Sequence, residues 1–447
     1  MPTRIKWIFK YIYKTIMKKF LFISALCCLM CGCSEKIADE PKDSGNETDK
    51  NTPPITVVDF DNMLEFAYAK LPPEQQQAGK SINAFTFDLL NAINNEYDKS
   101  ISCDLRGNFV VSPVSIAIDL AMASNFSDND TRAQILKLLG IGSMETMNSI
   151  CGFLMDKVPQ KANGAYISIS NSLWHDSSIT PLREPCDLIR DVYKSQIESA
   201  DFADAATVTR INRWVSDATD NRIPEIVSPA MLAVNPAIWI NAICLEGEWA
   251  YKFNQKYTAD ETFHGTDGES QIKMMHQTMQ AYIGIVDGYS FAFIPINGYN
   301  DLIVILPPEG TDITAATEAV AAMDHEYIYS KMAQGLAILS LPKYSDKSSL
   351  NLAAVCQRLG IDSSSVSMPG LGRDNILGSL NAIQKVNIAW DEDGASAGIA
   401  TANGWGTSNG EVYVPQTLEL NLDRPFIYFL RNSQTGTYLL AGRVCNM

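Results

Sequence analysis

Apolar residues recur every three or four positions in several parts of the chain, which is the spacing of an amphipathic helix. In the first of these parts, five side chains fall on one helical face: Ile82, Phe85, Leu89, Leu90 and Ile93. In the second, the pattern Gln134, Ile135, Leu138 and Leu139 follows Thr131, which predicts a helix that starts at this threonine. A further helix is predicted over residues 211–219.

Alternating or continuous apolar runs predict strands in the middle and at the end of the chain. Residues 166–174 alternate in polarity, and residues 237–245 form a continuous apolar run bounded by Gly247. An Asn297-Gly298 turn divides residues 291–306 into two strands. The C-terminal part is mostly β, with strand patterns over residues 383–390, 412–422, 426–430 and 438–444. Neither a low-complexity linker nor a repeat divides residues 59–447, so we expect one large domain there.

The first 33 residues have the pattern of an export signal. Lys18-Lys19 precedes an apolar run over residues 20–30, which is too short to span a bilayer and is typical of a signal peptide. The small Gly32 before Cys33 is similar to a bacterial lipobox, in which this cysteine becomes the lipidated first residue of the mature protein. The alternative is a plain secretory signal with incidental cysteines. We therefore expect a signal peptide at residues 1–32, a flexible tether at residues 33–58, and a lipid-anchored position in the bacterial cell envelope.

Composition and charge exclude several classes of protein. The chain has 447 residues, of which 46% are hydrophobic and 19% charged, as is typical of a globular protein with a sizeable core. Its 35 basic and 51 acidic residues give a net charge of -16, which argues against a nucleic-acid partner held through phosphates. The cysteines that follow the export signal match neither a zinc site nor a thioredoxin motif. We expect free buried thiols, with oxidation of some of them as the alternative, and neither a metal nor a cofactor.

One stretch matches an enzyme signature, but its context does not. Residues 394–398 read G-x-S-x-G, the nucleophile elbow of hydrolases, around Ser396. That fold needs a helix after the serine, whereas residues 398–410 are rich in glycine and asparagine. It also needs a later histidine, and all four histidines come earlier: His175, His264, His276 and His325. Ser396 therefore has no downstream base, and we expect no enzyme activity.

The same serine lies in a long segment of small residues. Residues 394–410 read GASAGIATANGWGTSNG and contain neither Lys nor Arg. This composition is typical of a flexible surface loop, but a loop of this length between two strands is uncommon and is usually functional or disordered. Residues 394–401 carry no charge and one large side chain, Ile399. This part could enter a gap between two strands without burying an unpaired charge, which indicates a conformational switch.

Several motifs, in order over residues 81–446, resemble those of the serpins, the serine protease inhibitor family. They are N-x-x-x-S-P-x-S at 108–115, N-S-L-W at 171–174, I-N-R-W-V at 211–215, the strand at 240–249, L-P-K-Y at 341–344, R-P-F at 424–426 and A-G-R-V at 441–444. The resemblance implies an α+β serpin fold, in which a large central, mostly antiparallel sheet, two smaller sheets and surrounding helices carry an exposed reactive-centre loop. It also implies a shutter and a breach on the central sheet, comprising Ser112, Pro113, Ser115, Asn241, Gln384 and, where insertion begins, Trp249.

Residues 391–398, which read DEDGASAG, are similar to the E-E-G-T-E-A-A-A hinge of inhibitory serpins. The resemblance implies a hinge that consists of Glu392, Gly394, Ala395, Ser396, Ala397 and Gly398. After cleavage the loop would insert as a strand of about 14 residues at ~3.3 Å each, or roughly 45 Å, with Ala395 and Ala397 on the inward face. The same count of about 14 residues beyond Gly394 puts the scissile bond near Ser408-Asn409. Alternative recognition residues are Trp405, Thr407 and Tyr413.

The resemblance further implies an irreversible inhibitor that forms a covalent acyl-enzyme complex with its target protease. Residues 386–422 contain no basic residue, which argues against trypsin-like targets. Chymotrypsin-, elastase- or subtilisin-like extracellular serine proteases remain, with papain-like cysteine proteases as a cross-class alternative. We expect a monomer that touches the membrane only through its lipid anchor. The alternative function is that of a non-inhibitory serpin acting as a binding or scaffold protein.

Overall fold

The structure is a computed structural model that describes residues 55–56, 71–94, 97–98, 103–104, 106–162, 164–323, 325–361, 366–372, 383–395 and 416–447. The helices of this part are α1 (Pro73–Ile93), α2 (Pro113–Ser124), α3 (Asn129–Leu138), α4 (Met144–Lys157), α5 (Arg183–Val192), α6 (Ala205–Ala218), α7 (Pro229–Val234), α8 (Ile313–Ala321), α9 (His325–Ser330) and α10 (Leu352–Arg358). Among these described helices, none combines the length and the apolar character that crossing a membrane requires.

The strands of the described residues belong mainly to two large sheets. They are β1 (Ile55–Thr56), β2 (Tyr97–Asp98), β3 (Cys103–Asp104), β4 (Phe109–Val111), β5 (Gln160–Ala162), β6 (Ala165–Asp176), β7 (Gln196–Ala200), β8 (Ala237–Glu248), β9 (Ala259–Gly265), β10 (Gly268–Val286), β11 (Tyr289–Ile296), β12 (Asn300–Leu306), β13 (Ala333–Pro342), β14 (Tyr344–Asn351), β15 (Ile383–Trp390), β16 (Gly394–Ala395), β17 (Gln416–Asn421), β18 (Phe426–Asn432) and β19 (Thr437–Val444).

The predicted helices are present, but two of them begin earlier than predicted. The apolar face of α1 is buried along its length, as its periodicity predicts. The prediction that α3 starts at Thr131 was wrong, because Asp128 is the N-cap and its carboxylate accepts a hydrogen bond of 2.8 Å from the Thr131 amide. Asp204 caps α6 in the same way, so this helix begins at Ala205, ahead of the predicted start at residue 211.

The central sheet has seven strands in the order β14-β15-β16-β8-β6-β5, with β7 beside β6. The β6–β7 pair is parallel, and the other pairs are antiparallel. β8 continues through Gly247, where the sequence predicted its boundary. A side chain there would place its Cβ 2.3 Å from Ile296 Cγ2, so the glycine allows this strand to pass close to β11.

The second sheet has ten strands and includes the 19-residue strand β10, where the predicted fold has two smaller sheets. Its order is β17-β13-β10-β11-β12-β18-β19-β4, and β1 and β9 also pair with β10. β17 covers part of the strand predicted over residues 412–422, and residues 412–415 lie outside the described part. β1 falls within the predicted tether, yet it pairs in parallel with Thr278–Met279 of β10. Residues 51–447 form one compact unit.

Aromatic side chains fill the space between the two sheets next to β15. The rings of Tyr344 and Trp390 lie 4.8 Å apart, and the ring of Tyr428 from the second sheet lies 5.2 Å from Trp390. All three residues are buried. This cluster fixes the end of β15, from which the chain turns back into the central sheet. Elsewhere in the described residues, five cysteines are free thiols: Cys151, Cys186, Cys244, Cys356 and Cys445.

Candidate functional site

The chain leaves β15 and turns back into the same sheet as the short strand β16. β16 is antiparallel to β15 on one side and to β8 on the other, and Ala395 lies opposite both Trp390 and Gly247. Only 3% of the Ala395 surface is exposed. A Cβ on Gly394 would lie 2.2 Å from the Gly247 carbonyl oxygen, so a larger residue would push the two strands apart. The first two residues of the small-residue segment are therefore already part of the central sheet.

Trp249 holds the turn that leads into β16. Its indole Nε1 donates a hydrogen bond of 2.6 Å to the Asp391 carbonyl, and its backbone amide donates one of 3.1 Å to the Asp393 carbonyl. The Phe253 amide donates to the Glu392 carbonyl at 3.0 Å. Trp249 is buried and packs edge-on against Phe253. The predicted breach residue thus lies where the chain re-enters the sheet.

Glu392 is a buried carboxylate in this turn, with 7% of its side chain exposed. Its Oε2 accepts a hydrogen bond of 2.6 Å from Lys343 Nζ, and its Oε1 accepts one of 2.8 Å from Thr258 Oγ1. Burial alone would raise the pKa of Glu392, but the hydrogen bonds from Lys343 and Thr258 outweigh it and hold the pKa below its usual value. The carboxylate is therefore ionised at neutral pH and ties the turn to Lys343, between β13 and β14, and to Thr258, just before β9.

Beyond the Ala395 end of β16, no strand of the described residues separates β8 from β15. A small cleft lies there instead. β15 lines it from Gln384 to Ala389, and β8 lines it with Asn241, Ile243, Cys244 and Leu245. Ser112 and Ser115 also line the cleft. The structure thus brings four of the predicted shutter residues together at one gap in the sheet: Ser112, Ser115, Asn241 and Gln384.

The predicted shutter residues that line the cleft hold each wall separately. The Gln384 amide makes two hydrogen bonds of 2.9 Å with the backbone of Ser112, one as donor and one as acceptor. Ser112 caps α2, whose first residue is Pro113, so these bonds tie β15 to that helix. On the other wall, Asn241 Nδ2 donates to Asn171 Oδ1 of β6 at 2.6 Å. Within the described residues, the buried Asn241 Oδ1 accepts no hydrogen bond.

Several predicted site residues lie outside the described part of the chain. They are Cys33 and the loop residues Ser396, Ala397, Gly398, Trp405, Thr407, Ser408, Asn409 and Tyr413. Sequence reasoning, for its part, missed the role of two residues in the site. Lys343 belongs to the L-P-K-Y motif, but the sequence does not identify Glu392 as its partner. No sequence pattern marks Thr258 as a site residue. Both contacts depend on how distant strands are arranged.

The comparisons with known proteins agree with this arrangement. A family model described as Serpin (serine protease inhibitor) matches residues 80–447. The chain belongs to the serpin family. This serpin is 26% identical over 359 residues to leukocyte elastase inhibitor A of Rattus norvegicus, with 76% of its own chain and 93% of the relative covered.

Solved structures show the same fold. The native state of Tengpin, a thermophilic serpin, has a TM-score of 0.70 and 24% identity, and the match covers 88% of this serpin and 97% of Tengpin. Thyroxine-binding globulin in complex with thyroxine has a TM-score of 0.68 and 24% identity, covering 82% and 98% of the two chains. The predicted serpin fold is confirmed. Members of this family are in general protease inhibitors and not enzymes.

Proposed function

We propose that this serpin is an irreversible suicide-substrate inhibitor of extracellular serine proteases, acting by cleavage and insertion of its reactive loop. The observation that supports the proposal most strongly is β16. This strand begins between β15 and β8, is antiparallel to both, and ends at Ala395, which lines the cleft between them. A chain that continued from Ala395 into this cleft would complete the central sheet.

In the proposed reaction the protease treats the loop as a substrate. Its nucleophilic oxygen attacks a loop carbonyl, the peptide C–N bond breaks, and the leaving nitrogen takes a proton and departs as a new N-terminus. The upstream end stays joined to the protease as an ester and inserts behind Ala395. Each inserted residue gains ladder hydrogen bonds, worth ~0.5 to 1.5 kcal/mol net per bond. The sum distorts the attached protease before water can cleave the ester.

The target class follows from the loop sequence. Residues 386–422 contain no Lys or Arg, which a trypsin-like protease would require at the scissile bond. We propose chymotrypsin-, elastase- or subtilisin-like proteases as targets, with papain-like cysteine proteases as the cross-class alternative. The similarity to leukocyte elastase inhibitor A agrees with an elastase-like target.

A gel experiment tests this function. The serpin is incubated with elastase, chymotrypsin, subtilisin, papain and trypsin, and the mixtures are run under denaturing conditions. We expect an SDS-stable covalent band with at least one non-tryptic protease, and none when the nucleophile of that protease has been chemically blocked. Loop cleavage without a covalent band for every protease would reject the inhibitor and favour a binding or scaffold role.

We also propose that Cys33 carries a lipid anchor that holds the serpin in the bacterial cell envelope. The support is the lipobox-like sequence that ends at this cysteine, and two acyl chains on one residue give stable anchoring. Palmitate should label the wild-type protein and not Cys33→Ala. A Cys33→Ala protein that still fractionates with membranes would contradict the anchor.

A further inference from the structure

The segment that follows α6, residues 219–223, lies over the cleft between β8 and β15. Thr219, Arg222 and Ile223 all line this cleft. Ile223 is buried in the same apolar cluster as Ile238 and Ile240 of β8. The segment is therefore packed on one wall of the cleft, and its polar groups decide whether it also holds the other wall.

Arg222 contacts both walls. Its guanidinium Nη2 donates to the Glu246 carboxylate of β8, and its Nη1 lies 2.9 Å from Cys244 Sγ on the same strand. Its backbone carbonyl accepts a hydrogen bond from Asn387 Nδ2 of β15. One residue outside the sheet thus joins two strands that, within the described residues, have only β16 between them.

The ion pair in this bridge is largely shielded from solvent. The exposed fractions of the Arg222 and Glu246 side chains are 23% and 16%. Asp220, the other acidic partner of Arg222, is 3.9 Å away and 72% exposed. Because screening by salt and water is weak for partly buried pairs, the contact with Glu246 is the stronger of these two ion pairs.

The turn before Arg222 has an unusual backbone that directs this residue over the cleft. Asp220 and Asn221 have φ angles of 49° and 62°, in the left-handed region that Asp and Asn enter more readily than other side chains. The Asn221 amide donates to the Ser216 carbonyl at 2.7 Å, and the Ile223 amide donates to Thr219 Oγ1 at 3.1 Å. These bonds attach the turn to the end of α6, so the residues directly before and after Arg222 are both held in place.

We propose that Arg222 is a positioning residue that bridges β8 and β15 in the intact protein and has to release at least one of them before a strand can insert. The inference rests on the proposed function, because it concerns the same insertion. A strand between β8 and β15 requires their axes to lie about 9.5 Å apart, twice the usual strand spacing. Alternate side chains of that strand would also point toward the face that Arg222 covers.

The bridge can be tested without any protease. A synthetic peptide with the sequence of residues 394–407 is mixed with the intact serpin, and its uptake is followed over time on native gels. We expect uptake by Arg222→Ala to be about tenfold faster than by the wild type, since each tenfold in rate is ~1.36 kcal/mol of barrier. Asn387→Ala, which removes only the contact to β15, should act in the same direction. Arg222→Lys keeps the charge beside Glu246 and should give a smaller effect.

Arg213→Ala is the matched control, because Arg213 is an exposed arginine on α6. It should take up the peptide at the wild-type rate. The melting temperature of each cleaved variant is measured as well, and equal values would show that a variant changes the intact form and not the folding of the protein. A role in general stability alone would lower the melting temperatures of both forms.

The outcomes separate this inference from the proposed function. Uptake by Arg222→Ala at the wild-type rate or more slowly would overturn the bridge. If neither Arg222→Ala nor the wild type takes up the peptide, the bridge is overturned too, because release of β8 by loss of the Arg222 side chain then opens nothing. Faster uptake by Arg222→Ala, combined with no covalent complex for any protease, would support the bridge and reject the inhibitor.

Discussion

At the scale of single residues, the pair of Glu392 and Lys343 decides how firmly the turn before β16 is held. The carboxylate is buried, and an ammonium group at 2.6 Å compensates its charge. A buried carboxylate that loses its partner has few ways to recover the lost interaction, since it is largely removed from water. The effect of a substitution here should therefore exceed that of the same substitution on an exposed lysine.

We expect Lys343→Met to lower the free energy of unfolding of the intact serpin by about 1 to 3 kcal/mol at pH 7, because it leaves Glu392 unpaired. The folded pKa of Glu392 lies below its usual value of 4.5, so the pair stabilises the protein fully above that pH. Its contribution is lost as the pH falls through the lowered pKa. Denaturant unfolding at a series of pH values measures this.

The control for this prediction is Lys347→Met, since Lys347 is an exposed lysine on the neighbouring strand β14. It should unfold with the wild-type free energy at pH 7. The difference between Lys343→Met and the wild type should shrink toward low pH. A difference that stayed constant down to strongly acidic pH would show that the lysine acts through packing and not through its charge.

At the scale of elements, the two residues of β16 are the start of the strand that the proposed mechanism extends. Ala395 lies between Gly247 and Trp390 and is almost completely buried, so a long charged side chain does not fit there without displacing the strand. Insertion would then be slow compared with hydrolysis of the acyl-enzyme.

We expect Ala395→Arg to convert the inhibitor into a substrate, so that the loop is cut without a covalent band on the gel. Ala395→Ser, which keeps the residue small, should still form the complex. The number of serpin molecules consumed per protease molecule inhibited measures both. Inhibition by Ala395→Arg at the wild-type level would contradict insertion as the mechanism.

Periodicity and motifs predicted those features that depend on neighbouring residues. The apolar face of α1, the strand over residues 383–390 and the turn at Asn297-Gly298 all follow from local sequence. The contact of Arg222 with Asn387 joins residues 165 positions apart. In the sequence, Asn387 is only a polar residue within a strand, and nothing local identifies its partner.

At the scale of the whole molecule, the proposed mechanism requires the intact fold to be less stable than the cleaved one. The central sheet holds two residues of β16 where the order of strands has room for a longer strand. About 14 inserted residues, each contributing ~0.5 to 1.5 kcal/mol per ladder bond, make the difference large.

We expect cleavage of the loop to raise the melting temperature by an amount on the order of ten degrees. Scanning calorimetry of the intact and the nicked serpin, from the same preparation, measures it. The nicked Ala395→Arg variant serves as the control and should gain less. A nicked wild-type protein that melts at the temperature of the intact one would remove the physical basis of the proposed inhibitor.

The continuous strand β10 has a consequence for how this protein loses its structure on heating. One 19-residue strand pairs with β9 near its start, with β13 along its middle and with β11 near its end, so the ten-stranded sheet has no internal seam. Its two halves must melt in a single cooperative step, because neither keeps a complete set of partners once β10 detaches. In the proposed mechanism, rearrangement is thereby confined to the seven-stranded sheet, while the other sheet serves as a frame.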